Sequence, residues 1–225
     1  MDVIADQVIL LGRIFLYLLP AVPETIKITL LSFALALLLG LLVGLAEISR
    51  RPWLRIPAKM YVDIFRGVPL LVLIFFFYFG LGAILNLDRL VAGILAIGVC
   101  FAAYLAEIFR SGIEAISHGQ YEAALSLGMT RAQVMRHVIL PQSLRIVLPP
   151  AANEFIACLK DSSLVSIIGL REITRAGREF YSQYFVDFQT WFMVGIIYLA
   201  MTLTLSRLVV RLEKRFAVIG FGKKR

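Results

Sequence analysis

Long apolar runs alternate with short polar, basic segments along the whole chain. A membrane crossing needs about 20 mostly apolar residues. Five runs meet that need, at about residues 25–48, 61–85, 89–110, 146–169 and 189–212. The first is close to uniformly apolar. The second carries the block Phe75-Phe76-Phe77-Tyr78-Phe79, and the fourth is the most polar. A shorter run, about 8–22, contains Arg13 and Pro20 and is followed by Pro23. It reads as an amphipathic helix lying in the membrane interface, with a sixth span as the alternative. It has no charged start and no clear small-residue cleavage site, so a cleavable signal peptide is not expected. The polar, aromatic stretch 171–188 reads as a short helix and loop. No internal repeat or long linker interrupts the pattern. The expectation is an all-α integral membrane protein with a single transmembrane domain over 1–225.

One polar segment, about 118–141, has its own periodicity. Glu122 to Leu127 are good helix formers, and Gly128 suits the left-handed residue that ends a helix. Thr130 can cap a second helix, with Gln133 three residues on completing a capping box. Pro141 is expected to stop that helix. Ala123 and Ala124 add little bulk, so another protein could approach the backbone closely.

Composition agrees with a membrane location. The chain has 225 residues, of which 60% are hydrophobic, and its mean hydropathy is +0.86. The formal charge of +8 does not point to nucleic acid, because the cations cluster beside apolar runs. Arg50, Arg51, Arg55 and Lys59 lie between the first two runs, and Arg131, Arg136 and Arg145 between the third and fourth. Arg211, Lys214, Arg215, Lys223, Lys224 and Arg225 close the chain. Opposite them fall Arg13, Arg89, Arg171, Arg175 and Arg178, the last three interleaved with Glu172 and Glu179. The positive-inside bias then puts the N-terminus outside, and the 118–141 segment and C-terminus in the cytoplasm. Cys100 and Cys158 sit inside apolar runs and read as packing residues. His118 and His137 read as surface residues, and no metal site is expected.

The fourth run holds the candidate ligand chemistry. Glu154 and Asp161 are seven apart, about 20° from each other around a helix. Asn153 and Lys160 form an adjacent stripe. A mid-membrane charge costs about 2.5–3.5 kcal/mol on insertion scales, so these residues should avoid lipid. Carboxylates suit a ligand's amino group, and Lys160 or a freed backbone N–H suits its carboxylate. Ser162 and Ser163 add hydroxyls, and Pro149-Pro150 loosens the helix. The competing reading is that the charges fix packing between helices. Asp63 with Arg66, and Glu107 with Arg110, have the spacing of intrahelical ion pairs; a gate is the other reading. No phosphate-cradling G-x-x-x-x-G-K-[ST], no H-E-x-x-H and no G-x-S-x-G occurs, so the chain itself is not expected to be an enzyme.

Glu122-Ala123-Ala124, three residues, Gly128, nine residues, an aliphatic residue, one more, then Leu140-Pro141 resembles the EAA loop of bacterial ABC importer permeases. Phe65-Arg66-Gly67-Val68-Pro69-Leu70-Leu71, Tyr104 through Ile113, and Asn153 through Ser163 are similar to the polar amino-acid branch, which takes in histidine, arginine, glutamine and glutamate permeases. The resemblance covers most of the chain from about residue 25. It implies the type I importer fold, with the EAA loop docking on a cytoplasmic ABC ATPase pair that binds the ATP and Mg. It also implies a second permease subunit, identical or different, an external amino-acid-binding protein, a bacterial inner-membrane location, and a pocket to which Glu154 and Asp161 contribute. This chain would bind no cofactor. Leu73 stands where many members carry Gln. A gradient-driven transporter using Glu154 and Asp161 as ion sites is the alternative, and an intramembrane enzyme a weaker one. Neither gives the EAA segment a use, and no inverted repeat is visible.

Overall fold

A computed structural model describes the backbone of residues 2–216 and the side chains of residues 5–211. The described residues are helical throughout, with short turns between helices. Helix α1 (Asp2–Leu18) passes through a 3-10 turn (Leu19–Ala21) into α2 (Val22–Glu47). Then come α3 (Pro52–Gly67) and α4 (Leu70–Leu85), the latter with a π-helical stretch at Phe76–Leu81. Helix α5 (Arg89–Glu114) leads to the short α6 (His118–Ser126) and α7 (Arg131–Val134). A π turn (Met135–Ile139) opens into α8 (Leu140–Asp161), followed by a 3-10 run, Ser162–Ile168. Helices α9 (Ile173–Tyr184) and α10 (Asp187–Phe216) complete the described chain.

Three of the expected boundaries change. The run at 61–85 is not one helix: Tyr61 lies inside α3, and the chain breaks at Val68-Pro69 before α4. Pro69 has ψ 136° and acts as the cap of α4, and a residue before proline is pushed out of the α region. The fourth run starts earlier, at Leu140, and its α-helical part ends at Asp161. Pro141 does not stop the helix. A proline ring clashes with the carbonyl four residues back in an α-helix, and the wider π turn at Met135–Ile139, closed by Leu140 N–H to the Met135 carbonyl, precedes it. By length and hydropathy, three described helices could cross a membrane: Ala5–Glu47, Arg89–Glu114 and Asp187–Arg211. A fourth is added if Pro52–Gly67 and Leu70–Leu85 count as one broken span. The prolines and charges of α8 dilute its apolar content, so it falls outside that set.

Contacts divide the chain into two compact units. One joins the residues up to Leu35, Val68–Gly98 and Ile156–Leu205; the other joins Ala36–Gly67, Val99–Phe155 and the residues from Ser206. Helices α2, α5, α8 and α10 each contribute to both.

The first unit has its core where α1 meets α9 and α10. Ile14, Leu18 and Ala21 pack with Ile173, Ala176, Phe180, Val194 and Ile197. Tyr17 meets the Phe180 ring edge-on at 5.2 Å. One face of the N-terminal helix is thus covered by protein. Cys158 is buried here.

The second unit depends on close helix approach. A Cβ added to Gly40 would lie 2.8 Å from Leu105 Cβ and 2.9 Å from the Ala102 carbonyl. One added to Gly44 would lie 2.8 Å from the Ala106 carbonyl. This Gly-x-x-x-Gly face lets the backbones of α2 and α5 touch, the usual way helices pack where burial from water supplies no driving force. Tyr61 donates to the Val99 carbonyl at 2.7 Å, tying α3 to α5. Cys100 is buried in the same unit.

Gly44→Val should therefore destabilise the protein by about 1–3 kcal/mol, the usual cost of overpacking. Gly12→Ala, in open space, should be neutral or gain about 0.5–1 kcal/mol from helix propensity. Thermal melts of both variants in one detergent test this; equal melting temperatures would contradict the packing account.

Candidate functional site

The segment 118–141 folds as a helical hairpin, and its turn is fully accounted for. Helix α6 ends in paired bonds: Gly128 N–H to the Leu125 carbonyl at 2.9 Å, and Met129 N–H to the Ala124 carbonyl at 3.3 Å. That is the Schellman arrangement, which needs a left-handed residue, and Gly128 has φ +82°. Thr130 then caps α7. Gln133 N–H donates to Thr130 Oγ1 at 3.3 Å, and Thr130 N–H donates to Gln133 Oε1 at 2.8 Å. Both halves of the capping box are present.

The hairpin has a small core of Ile116, Ala124, Val134 and Ile139. The Ala124 side chain faces inward, into this core. Its small size lets α6 lie against α7 and the π turn. Glu122 and Ala123 are exposed, as is Pro141, whereas Leu140 is half-buried. Leu127 is 84% exposed. Glu122 lies 3.1 Å from His118. The outer surface of the hairpin thus offers a carboxylate, a methyl group and a bare leucine beside a fixed turn.

The polar residues of α8 and of the 3-10 run that follows it are distributed as follows. Asn153 is exposed and Glu154 half-buried, within the second unit. Lys160 is exposed and Asp161 half-buried, at the helix end that belongs to the first unit. Ser162 is fully buried and donates to the Leu159 carbonyl at 2.8 Å. Its hydroxyl proton is therefore committed to the α-to-3-10 transition. Ser163 is half-buried.

A charged cluster occupies the second unit. Arg110 pairs with Glu107 and with Glu114, both at 2.5 Å, and Arg66 lies 3.9 Å from Glu107. Arg66 thus reaches across from α3 to α5 instead of pairing with Asp63. Its guanidinium also sits 5.4 Å from the Tyr104 ring centre.

Sequence reasoning missed the role of Glu172. It is not a solvated counter-charge to its arginine neighbours but is fully buried. Its carboxylate accepts from Thr174 N–H at 2.9 Å, Arg175 N–H at 2.7 Å and Tyr198 O–H at 2.7 Å. It therefore caps α9 and ties it to α10. Glutamate is an uncommon cap, so only its position directly before the helix signalled this. Burial pushes its carboxyl above the usual range, against the opposing pull of those donors. Nearby, Arg171 bonds Glu179 at 2.8 Å and lies over the Tyr17 ring.

These features define a helical protein with several helices apolar enough to cross a membrane and a structured polar hairpin. Residues 36–218 match the family described as "Binding-protein-dependent transport system inner membrane component", and the chain belongs to that family. It is 36% identical over 210 residues to the glutamine transport system permease protein GlnP of Escherichia coli K12, covering 89% of this chain and 96% of that one. It is 38% identical over 210 residues to the probable amino-acid ABC transporter permease protein YckA of Bacillus subtilis 168, covering 90% of each. A crystal structure of an amino acid ABC transporter with histidines superposes with TM-score 0.84 at 38% identity, over 88% of this chain and 94% of that one. The MetNI methionine transporter in an inward-facing form, at 22% identity and TM-score 0.79, shares the fold.

The Glu172 carboxyl makes the folded state pH-sensitive. Its folded value is raised above 4.5, so the native state holds the proton more tightly than the unfolded chain. This contribution is fully present below about pH 4.5 and is lost as pH rises through the raised value. Between those limits, lowering the pH should raise the melting temperature. Glu172→Gln should flatten that part of the profile. An unchanged profile in the variant would contradict the assignment.

Proposed function

We propose that this chain is the membrane subunit of an ATP-driven amino-acid importer. It forms the translocation pathway by alternating access and takes its drive from a separate cytoplasmic ABC ATPase. The observation that carries this is the hairpin at 118–141, a rigid, capped turn with exposed Glu122, Ala123 and Leu127, in a chain of the transport-system family. ATP and Mg belong to the ATPase pair. A second permease subunit completes the pathway, and an external binding protein delivers the amino acid. The arrangement is five-span, with the N-terminus outside and the hairpin and C-terminus in the cytoplasm, as the distribution of Arg and Lys suggests.

The relatives named for glutamine, and the solved amino-acid transporter, support an amino acid as the cargo. On this reading at least one of Asp161 and Glu154, Asp161 first, meets positive charge on the cargo, and Lys160 or a freed backbone N–H its carboxylate, with Asn153 and Ser163 as polar neighbours. Their half-buried or exposed positions leave them reachable in the single chain. The Arg66–Glu107–Arg110 cluster is structural on this reading, since its charges already have partners.

Two variants test the two halves of the proposal in the reconstituted complex. Gly128→Val puts a branched side chain on a left-handed residue, where a non-glycine residue costs of order 1–3 kcal/mol. It should abolish substrate-stimulated ATP hydrolysis while the protein stays in the membrane; normal stimulation would refute the coupling role. Asp161→Asn keeps shape and removes charge. Uptake should fall about tenfold or more, in line with a lost charge-assisted bond, with assembly intact. Unchanged uptake and preference in both Asp161→Asn and Glu154→Gln would make these carboxylates packing groups.

A further inference from the structure

Helix α3 presents two surfaces that the transport reading leaves unused. Ala58 and Val62 are buried and anchor it. On another side Trp53, Ile56, Met60 and Ile64 recur every three or four residues, which places them in one stripe. They are 65%, 55%, 57% and 52% exposed. Beside the stripe lies a cavity of about 950 Å³, into which Arg50, Arg55 and Lys59 open. The same cavity holds the Arg66, Glu107, Arg110 and Glu114 cluster, whose charges satisfy one another.

The remaining cations are different. Among the described residues, Arg50, Arg55 and Lys59 form no ion pair within 4.0 Å. Glu47 and Asp63 also line the cavity, so three uncommitted cations face two carboxylates. Ile56 belongs both to the stripe and to the cavity wall. The apolar strip therefore runs directly into a basic recess. Arg51 sits 5.9 Å from the Trp53 ring centre, extending the cationic border.

We infer that α3 and this cavity form a binding site for an anionic phospholipid, with the phosphate held by Arg50, Arg55 and Lys59 and an acyl chain laid along the stripe. Each part of the geometry answers to one part of the molecule. A helix with an apolar face, a Trp and flanking Arg and Lys is suited to the headgroup–acyl boundary. Uncommitted Arg and Lys at that level attract anionic headgroups. A soluble anion would use the recess and leave the stripe without purpose. A protein partner could cover the stripe but gives no reason for three uncommitted cations at its edge. This inference is independent of which cargo the protein carries and of the hairpin's role.

The test uses the purified complex in nanodiscs containing a trace lipid with a photoreactive acyl chain, either phosphatidylglycerol or phosphatidylcholine. Labelling is mapped to peptides by mass spectrometry. The peptide carrying Trp53 to Ile64 should be labelled at least about fivefold more by phosphatidylglycerol, the equivalent of about one surface cation's attraction. Combined Arg50→Gln, Arg55→Gln and Lys59→Gln should bring the two lipids to equal labelling. Raising salt to about 0.5 M on the unmutated protein, where screening is short-ranged, should also narrow the gap, so the result does not depend on the variant folding. No labelling of α3 by either lipid would mean protein covers the stripe, and would overturn the inference. Equal labelling that neither salt nor the triple variant changes would mean ordinary lipid contact without a headgroup site, and would overturn it too.

Discussion

A helix that ends leaves backbone N–H and C=O groups unpaired, and hydrocarbon offers them no partner. Several of the breaks described above are met by a specific internal device. Gly128 takes up the carbonyls at the end of α6, and Thr130 with Gln133 takes up donors at the start of α7. The π turn at Met135–Ile139 brings the chain up to Pro141 without a stop. Gly169, at φ +87°, ends the 3-10 run after Asp161. Glu172 caps α9 from a fully buried position. The helices themselves carry no instruction about where function sits. The breaks do, because each fixes a direction change and exposes or hides particular side chains.

This explains why so small a chain can offer distinct surfaces. In the second unit, Gly40 and Gly44 allow α2 and α5 to approach at backbone distance, and Tyr61 pins α3 to α5. The hairpin core of Ile116, Ala124, Val134 and Ile139 holds the turn in shape while Leu127 remains bare. In the first unit, α9 is held from both ends of its charge pattern, by Glu172 at its cap and by Arg171 and Arg175 on Glu179.

Much of the hairpin was legible in the sequence because its determinants are local. A glycine at a helix end and a Thr-x-x-Gln box act over four residues, and both appear where the residues imply them. What escaped depends on neighbours distant in sequence. Nothing near Ala124 says that Val134 and Ile139 will cover it. The Val68-Pro69 break was readable from proline chemistry but was masked by the continuous apolar run on either side. Pro141 signals a stop unless a π turn precedes it, and a π turn has no strong sequence mark. Arg66 has Asp63 at ideal helical spacing, yet it reaches Glu107 on another helix. Glu172 looked like one charge among several, because its burial and its Tyr198 partner on α10 come from packing of residues distant in sequence. The polar residues of α8 and the two serines after it were visible as a set, but the bond from Ser162 to the Leu159 carbonyl was not.

We propose the hairpin's exposed turn as the surface through which an ATPase drives this permease. Single cysteines placed at Leu127, Ala123 and Ala124 in the assembled complex test it most directly, by cross-linking to the ATPase with a short bifunctional reagent. The structure predicts cross-links from Leu127→Cys and Ala123→Cys and little or none from Ala124→Cys, whose side chain lies in the hairpin core. Absence of cross-links from all three positions, in a complex that still transports, would contradict it.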